Sequence, residues 1–278
     1  MKDSSASLCE RRSRVVLTVF FAVFLLQLGC SRTRTRFEDL LLPQAPELFA
    51  RINANQAALK DFTGAGILQV SGGQTGKIAL GIKLKYLSPR RLWLSLNGPM
   101  GIGLGTLLLA GDRYELAYAS PAMHASGWIA DFDFPEETGL KLQGDDVWDF
   151  LLPLASLSAL PDSACVKKDL AAQQYLLSWS DSAELHRLWA DPYRPVIVRE
   201  LCLSPDGDTL ASKETGDVKK HAGVHFPMSW NVRIGKGNQG YSMKLKLARL
   251  EVNAGLTAKD FTIEPESRPD TAEVKVGG

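Results

Sequence analysis

The sequence predicts a mainly β protein built on an antiparallel sheet of about ten strands. Three observations carry that expectation. Apolar residues recur at period two along several stretches, the spacing of a strand with one buried face. Short turn signals separate these stretches, without the helical crossovers of βαβ units, so neighbouring strands run antiparallel. Only two stretches read as helical, too little helix to cover both faces, and so many strands should curl into a barrel-like shape.

The elements follow in chain order. Pro43 and Pro46 open a helix that runs to about Lys60. Glu47 lies in its first turn and Lys60 in its last, as the helix dipole prefers. Leu48, Ile52 and Leu59 fall on one face, with Phe49 at the flank, so the helix needs a sheet or groove to cover. After Phe62 the period changes. Gly64-Ala65-Gly66 leads into a strand over Ile67–Val70, and SGGQTG makes a hairpin loop. Ile78, Leu80, Ile82, Leu84 and Tyr86 then share one face, with Lys77, Lys83 and Lys85 opposite. Ser88-Pro89 breaks this strand; Leu92, Leu94 and Leu96 repeat the pattern with Arg91, Ser95 and Asn97 opposite. Asn97-Gly98-Pro99 is a turn, Ile102–Ala110 an apolar strand, and Gly111-Asp112 a hairpin turn before Tyr114, Leu116 and Tyr118. Asp145 can cap a second helix over 145–160, interrupted by Pro153. Five more strands follow: Tyr175–Trp179, Leu185–Trp189, Val196–Leu203, Met228–Ile234 and Tyr241–Val252. Met243, Leu245 and Leu247 share a face, and the phase then slips at Leu250 and Val252, which predicts a bulge. The polar tail, 266–278, is expected to be disordered.

Composition sets the function classes. The chain has 278 residues, 32 Lys+Arg against 31 Asp+Glu, and a formal net charge of +1, with 45% hydrophobic residues. That excludes wholesale disorder and argues against nucleic-acid binding, which needs a net basic field. Val15 to Leu28 is almost unbroken apolar behind a basic start of Lys2, Arg11, Arg12 and Arg14. These 14 residues fall short of the roughly 20 of a spanning helix and read as the core of a signal peptide.

That segment ends in Leu28-Gly29-Cys30, which resembles the lipobox of bacterial lipoproteins, although Gln27 stands where the family prefers Leu. The resemblance implies a signal peptide over 1–29, diacylglycerol on Cys30, and a tether over 30–43 with Arg32, Arg34 and Arg36 near the membrane. Ser31, in place of Asp, implies lipid anchoring in the outer membrane facing the periplasm, if the envelope is Gram-negative. A signal anchor with an incidental Cys is the competing reading. Cys165 and Cys202 would meet an oxidising compartment, where a disulfide or two unrelated buried thiols are both open.

Over residues 44–265 the layout resembles the LolA/LolB lipoprotein-carrier fold. The resemblance rests on LKDFTGAGILQV entering the first strand, PRRLWL at Pro89–Leu94, the Gly111-Asp112 hairpin with Tyr114, RLWADP at Arg187–Pro192, and LTAKDFTIEP at Leu256–Pro265. It implies an unclosed antiparallel half-barrel with helices covering its concave face, no enzymatic activity, and an apolar cavity for lipid or lipoprotein acyl chains. The inward-facing candidates for that cavity are Ile78, Leu80, Ile82, Leu84, Leu92, Leu94, Leu96 and Trp148. Ser120–Gly144 has no counterpart, and the apolar protruding loop of LolB has no aligned segment here.

Motifs of catalysis and cofactor binding are absent from the sequence. His221 and His225 are four apart, but AGV lacks the Glu of a zinc-protease helix, and surface or loop histidines are expected there. GGQTGK at Gly72–Lys77 misses the phosphate-loop spacing, and no G-x-S-x-G elbow occurs. Asp131, Asp133, Glu136 and Glu137 form an acidic stretch, as do Asp145, Asp146 and Asp149; each reads as a solvated loop before it reads as a hydrolase. Three functions stand in order: a carrier of acyl chains, a non-catalytic envelope scaffold with a filled core, and an envelope hydrolase. No cofactor or metal is implied, and no protein partner is identified.

Overall fold

A computed structural model describes residues 36–72, 76–118, 124–131, 148, 151–154, 160–181, 184–235 and 240–263. The chain divides into two units, Met1–Leu41 and Leu42–Gly278. Of the first, the described part is a short turn of 3-10 helix, Phe37–Asp39. Cys30, the signal segment and residues 266–278 lie outside the described residues.

The second unit holds one antiparallel sheet. Its strands, in chain order, are β1 (Asp61–Ser71), β2 (Lys77–Leu87), β3 (Arg91–Asn97), β4 (Gly103–Ala110), β5 (Arg113–Tyr118), β6 (His124–Trp128), β7 (Cys165–Asp169), β8 (Gln174–Ser180), β9 (Leu185–Ala190), β10 (Ile197–Leu203), β11 (Thr209–His221), β12 (Val224–Ile234) and β13 (Tyr241–Val252). Their order across the sheet is 6-5-4-3-2-1-13-12-11-10-9-8-7. The chain starts in the centre at β1 and steps outward by hairpins to the edge at β6. It passes to the far edge at β7 and steps back until β13 pairs with β1. The two edges do not pair, so the sheet is the expected unclosed half-barrel.

Thirteen strands stand among the described residues where about ten were expected. The three missed ones are β6, β7 and β11. HASGW and CVKKD lack an apolar face, and as edge strands they need none. TLASKETGDVKKH is polar on both faces and is held by the ladders of β10 and β12. His221 and His225, expected as surface or loop histidines, stand on strands at either side of the tight turn of the β11–β12 hairpin. His221 opposes Val224, while His225 opposes Lys220, so the two imidazoles lie on opposite faces of the β11–β12 hairpin.

The predicted bulge is present. Ala65 opposes Arg249 and Gly66 opposes Leu247, leaving Ala248 as the extra residue of β13. Gly66 is required at this point: a Cβ there would lie 2.1 Å from the Lys246 carbonyl oxygen.

Helix α1, Ala45–Ala57, ends three residues before the expected Lys60. Pro46 stands in its first turn, where the missing N–H costs no hydrogen bond. Leu48 and Ile52 are buried. Asn55 ties the helix to the start of β12: its Nδ2 donates to the His225 carbonyl and its Oδ1 accepts the His225 N–H, both at 2.9 Å. In the passage between the two edges, the Leu152 N–H donates to the Trp148 carbonyl at 3.0 Å, one helical turn within the expected second helix. Trp148, Leu151 and Leu152 are buried in the same apolar cluster as Leu92, Leu94 and Leu109. Among the described residues, no helix is long and apolar enough to cross a membrane.

Candidate functional site on the inner face of the sheet

Register decides which side chains meet. Leu84 opposes Leu94, and Leu94 opposes Leu107, so β2, β3 and β4 present their leucines to one face. We call it the inner face. On β1 the partner of Leu84 is Gly64, and a Cβ there would press on the Leu247 side chain at 3.2 Å. The missing side chain gives Leu247 of β13 its place on this face. Met243, Leu245, Trp230 and Phe226 extend the apolar surface across β13 and β12.

The eight residues expected to line a cavity divide into three groups. Leu84, Leu92 and Leu94 are 1%, 0% and 2% exposed, and Ile82 and Trp148 are buried with them. Leu96 is partly buried against the cluster. Ile78, 36% exposed, and the half-buried Leu80 continue the row toward the open end of β2, opposite Val70 and Leu68. The register thus puts all seven strand residues on one face, but only four of those seven lie in the buried cluster.

Two donors in this cluster have no acceptor among the described residues. The indole Nε1 groups of Trp148 and Trp230 are buried and make no hydrogen bond among the described residues. A buried donor left unpaired costs about 1–3 kcal/mol.

The outer face is different in kind. A groove of about 610 Å³ runs beside the bulge, lined by Thr63, Ala65, Lys83, Lys85, Trp93 and Arg249 among others. Lys85 Nζ sits 4.9 Å from the centre of the Trp93 ring and donates to the Asp260 carbonyl at 2.9 Å. Lys83, Lys85 and Arg249 put charge along its border.

On the strands nearer β7 the inner face turns polar. Lys213 of β11 is buried, donates to the Leu154 carbonyl at 2.7 Å and pairs with Glu200 of β10 at 3.4 Å. Beyond it Cys202 directly opposes His186, which directly opposes Trp179. The Cys202 thiol donates to Glu184 Oε2 at 2.7 Å. Burial first, and then the Glu184 carboxylate, push this thiol up to about 12.

Of the two readings left open for Cys165 and Cys202, a disulfide or two buried thiols, neither describes the pair. Both thiols are free, and Cys165 is exposed rather than buried. Cys165 opposes Ser178 on the outer face, while Cys202 is on the inner face. Three strand spacings, about 14 Å, separate β7 from β10, whereas a disulfide needs Cα atoms within about 7 Å. Sequence reasoning also passed over the Glu184, His186 and Cys202 grouping, because it is assembled across strands and leaves no spacing motif.

No protein-family profile and no curated protein matches the sequence. Solved structures do match in fold. A domain assigned to outer membrane lipoprotein sorting, from Vibrio parahaemolyticus, aligns with a TM-score of 0.55 at 14% identity, over 78% of this chain and 95% of that one. A DUF1329 family protein from Desulfovibrio piger aligns at 0.57 and 10% identity, over the same shares. A LolA superfamily protein from Nitrosomonas europaea aligns at 0.49 and 11% identity, over 80% of this chain and 98% of that one. The fold is LolA/LolB-like, as the sequence resemblance implied. At these identities the likeness is one of fold.

Proposed function

We propose that this chain is a lipid-anchored lipoprotein of the cell envelope that holds the acyl chains of lipids or lipoproteins against the inner face of its sheet and moves them without covalent chemistry. The observation that carries the reading is the unclosed sheet, whose inner face is apolar from β5 across to β12 and whose row of Ile78, Leu80 and Leu96 stays partly open. Each methylene transferred from water to that surface contributes roughly 0.8 kcal/mol. The unpaired indole donors of Trp148 and Trp230 would suit the carbonyl oxygen of an acyl ester. Cys30 is the proposed attachment point, in the outer membrane facing the periplasm.

A second feature fits membrane exchange. Between β3 and β4, Met100 is 94% exposed, with Ile102 and Leu104 also exposed. An apolar tip of this kind suits insertion among lipid headgroups. The lipoprotein-sorting role assigned to the Vibrio domain supports the same reading by analogy of fold.

The scaffold reading keeps one observation in its favour: Leu84, Leu92 and Leu94 are already buried by the protein's own side chains. Lipid extraction separates the two. The chain from Leu42 onward, a compact unit by itself, is purified without detergent and its organic extract is read by mass spectrometry. A carrier yields stoichiometric acyl lipid; a filled-core scaffold yields none.

A further inference from the structure

We propose that Glu184, His186 and Cys202 form a divalent metal site of the zinc type on the inner face of strands β9 and β10. This goes beyond acyl-chain binding and does not depend on it.

The placement follows from register. Cys202 and His186 are direct partners on adjacent antiparallel strands, so their side chains stand side by side. Glu184 precedes His186 by two residues and so shares its face at the entry to β9. Among the described residues, these three are the one set whose ligand atoms all fall within 4.8 Å of one another. Asp181, across the β8–β9 hairpin, brings Oδ2 to 3.3 Å from His186 Nε2. Its Oδ1 accepts the Glu184 N–H at 2.8 Å, which holds the Asp181 carboxylate against the backbone beside Glu184.

Donor type and spacing suit a zinc-type ion. Thiolate, imidazole and carboxylate are its three protein ligand classes, and a tetrahedron with bonds of about 2.0–2.3 Å sets ligand atoms about 3.3–3.8 Å apart. His186 Nε2 lies 3.6 Å from Glu184 Oε2. The thiol and Glu184 Oε2, at 2.7 Å, share a proton now and would spread by about 1 Å when an ion replaces that proton. The imidazole is already oriented: the Trp179 ring stacks on it at 4.9 Å between centroids and 13° between planes. An acidic loop would explain Asp181 and Glu184 alone. It does not explain a partly buried thiol and a stacked histidine converging on them. Binding would tie β9 and β10 together.

The test uses the full-length chain, purified in detergent, reduced and stripped of metal. Zn²⁺ binding is measured by competition with a chromophoric chelator, and Co²⁺ by its thiolate charge-transfer absorption. The wild-type chain is expected to bind one equivalent of Zn²⁺ and to show the Co²⁺ band. Cys202→Ser should abolish the band, and both Cys202→Ser and Glu184→Gln should weaken Zn²⁺ by about tenfold or more. Cys165→Ser should change neither reading. Circular dichroism checks that each variant is folded; if Cys202→Ser is not, Glu184→Gln and His186→Gln decide. No stoichiometric binding by the wild-type chain, a band that survives Cys202→Ser, a band lost with Cys165→Ser, or affinity unchanged by Glu184→Gln and His186→Gln would each overturn the proposal.

Discussion

Strands β1–β6 and β7–β11 are two meanders of one sheet, and their inner faces differ in chemistry. On the first, Ile82, Leu84, Leu92, Leu94, Leu107 and Leu109 make a surface with no charged group. On the second, Leu177 and Leu188 share the face with Lys213, Glu200, His186 and Cys202. The same backbone pattern therefore supports two environments. One is built from apolar contact; the other carries polar groups, of which Lys213 finds Leu154 and Glu200. The proposed acyl chain would lie with the first and the proposed cation with the second.

Substitutions can break or sharpen that contrast. Leu94→Glu puts a carboxylate among leucines with no cation in reach, and should cost about 4 kcal/mol or more, read as loss of the cooperative thermal transition. The two thiols should separate next. With its thiol held near 12, Cys202 stays protonated at neutral pH, and the thiolate is the reactive form. Exposed Cys165 should therefore react with maleimide about a hundredfold faster in the metal-free chain from Leu42 onward. Equal rates would mean that the polar cluster is open to water. Lys213→Met removes a charge-assisted bond to the Leu154 carbonyl and leaves Glu200 without its partner, for a loss of about 2 kcal/mol in chemical denaturation. On the outer face, Glu214→Gln breaks an exposed pair with Arg199 and should stay within about 0.5 kcal/mol of wild type.

The contrast also explains what could be read from residues alone. Period-two leucines write themselves into the sequence, because one buried face needs nothing but alternation; β2, β3 and β13 were legible almost residue by residue. The bulge at Ala248 was legible for the same reason, as a slip in that alternation. β11 was not, since a strand whose inner face carries Lys213 and Thr215 has no apolar period, and only its neighbours make it a strand. The Glu184, His186 and Cys202 cluster was illegible because the 9–10 pairing register, rather than sequence spacing, brings it together. Cys165 and Cys202 failed as a pair on the same ground: face and strand order are properties of the sheet.

The most direct test of an apolar binding face beside a polar one is a titration with a fluorescent fatty-acid probe, using the chain from Leu42 onward. Leu96 is the residue to change, because it lies at the partly open margin of the apolar cluster, where a carboxylate can reach water without unfolding the core. If the inner face of β1–β6 holds acyl chains, the wild-type chain binds the probe, Leu96→Glu weakens it by about tenfold or more, and Glu184→Gln on the other meander leaves it unchanged. A wild-type chain that does not bind, or a folded Leu96→Glu variant that binds as tightly as wild type, would contradict the carrier and leave a scaffold with a filled core.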